Sequence, residues 1–79
     1  MLSEPPSPAW VLTRRRAVGD HIREARLYAK LTQEQLGGAS GVDRQAINRI
    51  EQGHASPRLD SLIRIAAALN ISLADLVRT

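Results

Sequence analysis

The stretch Leu31-Thr32-Gln33-Glu34-Gln35-Leu36-Gly37-Gly38-Ala39-Ser40-Gly41-Val42-Asp43-Arg44-Gln45-Ala46-Ile47-Asn48-Arg49-Ile50-Glu51-Gln52-Gly53 carries the punctuation of two short helices and the turn between them. Thr32 can accept a free amide at a helix start, and Gln35, three residues on, can reach back to complete a capping box. Gly41 supplies a left-handed residue at no steric cost, so the first helix ends after about two turns. Asp43 caps the second helix and Gly53 closes it. A helix, a tight turn and a helix therefore occupy 33–52.

Working outward, the same grammar covers the rest of the chain. Upstream, Ser7-Pro8 reads as a cap and first helical position, and Val11, Val18, Ile22, Ala25 and Ala29 recur at helical spacing. This predicts a long first helix, with Gly19 weakening it by about 1 kcal/mol and leaving open a break or a late start near Ala17. Downstream, Ser56-Pro57 repeats the cap signal for a fourth helix with an apolar face of Leu59, Leu62, Ile63, Ala66 and Leu69, stopped by Asn70. Ser72 and Asp75 read as a capping box for a short fifth helix that turns Leu73, Leu76 and Val77 inward. Nothing reads as strand. Residues 1–8, with Pro5, Pro6 and Pro8, read as a disordered or extended leader, and 9–79 as one domain.

At 79 residues the chain suits one small domain that buries about 60% of its unfolded surface. Without cysteine it has neither a disulfide framework nor a thiolate metal site, and two separated histidines, His21 and His54, build no metal cage. No metal, cofactor or catalytic residue is expected, and an enzyme is disfavoured. No apolar run is long enough for a membrane span and no secretory signal is visible, so a cytoplasmic protein is expected. The net charge of +3 comes from ten arginines and one lysine, Lys30, against eight acids. Arginine suits phosphate and the guanine edge, which raises nucleic acid as a partner, although an arginine-rich genome would give the same count.

The predicted third helix bears on this choice. Setting Arg44 at zero, Asn48, Gln52, Gln45 and Arg49 fall at roughly 40°, 80°, 100° and 140°, whereas Ala46, Ile50 and Ile47 fall at roughly 200°, 240° and 300°. One face is polar and donor-rich, and the other is apolar. Arg, Gln and Asn are the side chains that read base edges in the major groove, although a solvated amphipathic helix would show the same division.

From about Val18 to Val77 the chain resembles the Cro/C1-type, or Xre, family of helix-turn-helix DNA-binding proteins. The resemblance runs through Ile22-Arg23, Arg26, Leu31 to Leu36, Gly41-Val42, Ile47, Arg49 to Gly53, Ser56-Pro57, Leu62, Ile65-Ala66, Ala68-Leu69 and Leu73 to Leu76. It implies an all-α fold, a compact five-helix lambda-repressor-like bundle, and a nucleoid-associated regulator, repressor or autoregulator, that binds a palindromic operator on double-stranded DNA as a homodimer. It implies base reading by Arg44, Gln45, Asn48 and Arg49, and phosphate contacts by Thr32, Gln33, His54 and Arg58. It also pairs Arg26 with Glu51 as an ion pair between the first and third helices, and makes Leu36, Ile47 and Ile50 core.

Two departures stand out. Gly37-Gly38 occupies the second helix where the family usually has alanine and a polar residue, at a cost on the order of 1 to 2 kcal/mol. Trp10 and Arg14-Arg15-Arg16 precede the usual family start, and the arginines are candidate arm contacts to DNA, or else a solvated charge run. Leu73, Leu76 and Val77 are the expected dimer face, with Trp10 as a rival anchor. The alternative function is an antitoxin or adaptor whose partner is a small protein.

Overall fold

The computed structural model describes residues 4–78. It contains five helices: α1 (Pro8–Tyr28), α2 (Gln33–Ser40), α3 (Arg44–Glu51), α4 (Leu59–Ala68) and α5 (Leu73–Val77), with no strand among the described residues. The all-α five-helix expectation holds. Of the expected leader, 1–3 lie outside the described residues, 4–7 are not helical, and Pro8 already opens α1.

Caps set the boundaries. Ser7 Oγ accepts from the Trp10 amide, so α1 starts at the early signal and runs unbroken through Gly19. Thr32 and Gln35 form the reciprocal capping box at the start of α2, and Asp43 accepts from the Gln45 amide at the start of α3. Gly41 and Gly53 both sit at φ 75°, where a side chain would be strained. Gly53 closes α3 with paired bonds, from the His54 amide to the Arg49 carbonyl and from the Gly53 amide to the Ile50 carbonyl. Asn70 ends α4 in the same way, at φ 56°.

Two capping expectations are corrected. Ser56-Pro57 does not start α4: 56–58 stay outside any helix, and Arg58, extended, occupies the cap position without a side-chain bond. Pro57 lies in a hollow with Val11, Arg14, Val18 and Leu62 instead of joining the helix. At α5 the Ser72 hydroxyl accepts from the Asp75 amide, but Asp75 returns no bond to complete a box.

The core is Ile22, Leu36, Val42, Ile47, Ile50, Ile65, Ala66, Leu69 and Leu76, with α1 against α3 and α5, α2 against α3 and α4, and α4 against α5. Leu36, Ile47 and Ile50 are core as expected. The α4 face is rotated from the expected one: Ile65 is buried and Leu59 and Ile63 are exposed, because Ile65, Ala66 and Leu69 already fill the interior. In α5, Leu76 is fully buried and Val77 is 45% exposed, since five residues can present only one side to the core. Val11 and Ala29 at the two ends of the expected α1 face are also exposed.

Gly19 marks a close crossing of α1 and α3. A Cβ there would lie 2.3 Å from the Ile50 carbonyl oxygen and 2.9 Å from that of Glu51. Glycine lets the α1 backbone rest directly on the end of α3, which sets the seating of the helix that carries the polar face.

Candidate nucleic-acid interface

The α3 helix divides as its periodicity implies. Ile47 and Ile50 are buried, Arg44, Gln45, Arg49 and Gln52 are exposed, and Asn48 is half-buried. An eight-residue helix whose inner face is committed to the core cannot turn to hide the polar side, so three of the four expected base-reading groups stand in solvent and Asn48 at its edge.

Behind this face is a buried ion pair. Arg26 Nε donates to Glu51 Oε2 at 2.7 Å and Arg26 Nη2 to Glu51 Oε1 at 2.9 Å, a two-pronged pairing between α1 and α3. Arg26 Nη1 also donates to the Leu31 carbonyl at 2.8 Å, tying in the loop before α2. The residues are 8% and 7% exposed, so each charge depends on the other. The hydrogen bond to Glu51, set against desolvation, raises the Arg26 pKa above its already strongly basic ordinary value.

The expected phosphate contacts are unlike one another. Thr32 Oγ1 accepts from the Gln35 amide, which leaves its hydroxyl proton free, and it is exposed at the start of α2. His54 and Arg58 are exposed in the loop after α3. Gln33 is different: its amide nitrogen donates to Asn48 Oδ1 at 3.1 Å and to Glu51 Oε1 at 3.2 Å, so both side-chain hydrogens are committed within the protein. Only its main-chain amide, in the first turn of α2, remains to donate to a phosphate. Neither periodicity nor spacing could reveal this link, since Gln33 and Asn48 lie on separate helices.

The arginine run is not a loose arm. Arg15 Nε donates to the Gly53 carbonyl at 3.0 Å, and the Arg16 stem packs on Gly53, where a Cβ would meet its Cγ at 2.5 Å. Arg14 lies over the Trp10 ring, 5.0 Å from its centroid. The extended α1 thus braces the turn that ends α3. His21, half-buried, places Nδ1 3.0 Å from the Leu76 carbonyl, a link between α1 and α5.

Residues 22–76 match the helix-turn-helix family HTH_3. The chain belongs to that family. This helix-turn-helix protein is 33% identical over 63 residues to the uncharacterized HTH-type transcriptional regulator y4dJ of Sinorhizobium fredii, a match covering 80% of this chain and 82% of that one. Its fold superposes on the restriction-modification controller protein C.AhdI from Aeromonas hydrophila with a TM-score of 0.79 and 31% identity, over 81% of this chain and 97% of that one. The clp gene regulator ClgR from C. glutamicum gives 0.76 and 26%, over 96% and 90%. Among the described residues no helix of this helix-turn-helix protein is long and apolar enough to cross a membrane.

Proposed function

We propose that this helix-turn-helix protein is a sequence-specific transcriptional regulator, a repressor or autoregulator, that binds a palindromic operator as a homodimer in the cytoplasm. The observation that carries the reading is the outward set Arg44, Gln45 and Arg49 on a helix whose opposite face is core, with Asn48 beside them. In this reading α3 enters the major groove, where an arginine fork matches guanine and amides match purine edges. The Thr32 hydroxyl and the first amides of α2 meet one phosphate run, and His54 and Arg58 meet another. Arg14 and Arg16 add charge beside that second run, while Arg15 holds the turn. Kinship with proteins named as transcriptional and controller regulators supports the assignment.

Leu76 is buried, so the dimer face is assigned instead to the exposed apolar residues Leu59 and Ile63, one turn apart on α4, together with Val77. The test is enrichment of bound fragments from a random DNA pool, followed by titration of the winning site. The expected result is an inverted repeat and a log–log salt slope of about −5 to −9, as for roughly 6 to 10 phosphates. Arg44→Ala and Arg49→Ala should each cost about 1 to 3 kcal/mol of specific binding while leaving the protein folded. Folded variants with unchanged affinity and base preference would remove α3 from the role of reader.

A further inference from the structure

The hydrogen bonds behind α3 run in one direction, and that direction is imposed by charge. Glu51 is already gripped by Arg26, and a carboxylate can only accept. The Gln33 group that faces it must therefore be the amino end, with the carbonyl turned away. That same amino group faces Asn48, so the Asn48 atom opposite it must be the carboxamide oxygen. Gln52 Nε2 donates to the same oxygen at 3.3 Å, one turn along α3. Turning the Asn48 amide over would set its amino group against the amino group of Gln33. Turning Gln33 over would set a carbonyl against a carboxylate.

We infer that this chain of bonds makes Gln33 a positioning residue and Asn48 a donor-only reader. The Asn48 oxygen is occupied, and its Nδ2 makes no hydrogen bond among the described residues, so Nδ2 alone is presented to the groove. A free asparagine reads adenine with both ends of its amide, accepting from N6 and donating to N7. Asn48 lacks the acceptor half of that pairing. Its donor best matches the paired acceptors N7 and O6 of guanine, since adenine N7 and thymine O4 are single acceptors, the first beside the N6 donor and the second beside a methyl group. The inference rests on the reading of α3 as the major-groove helix and names the base class that one of its residues selects.

The experiment enriches DNA from a random pool with the wild-type protein and with the Asn48→Asp and Gln33→Leu variants, each checked for folding by circular dichroism. Aspartate keeps an oxygen for Gln33 and Gln52 but exposes an acceptor in place of a donor. The expected result is a preference for guanine of about tenfold over adenine at one position of each half-site, which moves to cytosine, whose N4 donates, in Asn48→Asp. In Gln33→Leu the unlocked amide should let adenine rise to parity with guanine at that position, with the other positions unchanged. Adenine as the wild-type preference there overturns the inference, as does a pattern that neither variant alters. No selected sequence from any of the three proteins overturns the DNA-reading function itself, which is a distinguishable failure. Amide exchange in the free protein gives a second readout: the Gln33 side-chain protons should exchange more slowly than those of Asn48, and the reverse order would refute the relay without any DNA.

Discussion

Replacing Gly19 with alanine sets two effects of opposite sign against each other. Helix propensity alone favours the change by about 1 kcal/mol, because glycine has the largest backbone entropy to lose. Against this, the new Cβ would stand 2.3 Å from the Ile50 carbonyl oxygen and 2.9 Å from that of Glu51. The nearer contact is roughly 1 Å short of ordinary van der Waals separation. Both obstacles are backbone atoms in a packed crossing, so relief requires α1 and α3 to part, which loosens Ile22 and Ile50 together. Overpacking typically costs 1 to 3 kcal/mol, and a backbone obstacle belongs at the upper end, about 3 kcal/mol. The net effect is a loss of about 2 kcal/mol, equivalent to a fall in Tm of about 8 to 16 °C for a domain of this size. Gly38 is the internal control: it lies in α2 with nothing within 4 Å of its would-be Cβ. Gly38→Ala should therefore stabilise by about 1 kcal/mol, raising Tm by about 4 to 8 °C. Thermal melts followed by circular dichroism on both variants decide the matter. If Gly19→Ala melts at or above the wild-type temperature, the close α1–α3 crossing is wrong, and with it the reason given for how α3 is seated.

Glu51→Ala should cost about 3 kcal/mol in urea unfolding, because it strands Arg26 in a buried site and leaves Gln33 one acceptor short. A raised basic pKa gives a contribution that is complete below the unfolded value and is lost only as pH rises through the folded one, so wild-type melting should show no loss from Arg26 until strong alkali. Leu59→Ser and Ile63→Ser should leave folding stability within about 0.5 kcal/mol of wild type, since both are exposed, while weakening self-association in sedimentation velocity. Leu76→Ala should do the reverse, costing about 2 to 5 kcal/mol of stability because the side chain is fully buried. Monomers at every concentration for wild type and variants alike would remove the proposed dimer face.

The sequence by itself determined most of the secondary structure, because caps and left-handed stops are local chemistry. Ser7, Thr32, Asp43 and Ser72 accept amides two or three residues away, and Gly41, Gly53 and Asn70 turn the chain where the helices end. The division of α3 into an outward polar face and an inward apolar face was legible for the same reason, since a helix maps sequence onto angle. What required the tertiary structure was every feature that depends on which element lies opposite. Gly19 reads as a weak point in a helix until the α3 backbone is seen resting on it. Leu59 and Ile63 read as core until Ile65 and Leu69 are seen to fill the space, and the arginine run reads as either arm contacts or a solvated charge run until Arg15 is seen bonded to Gly53. The Gln33 side chain reads as free until its amide is found between Asn48 and Glu51. Burial, close approach and the direction of a hydrogen bond are properties of pairs of residues distant along the chain, and only folding brings those pairs together.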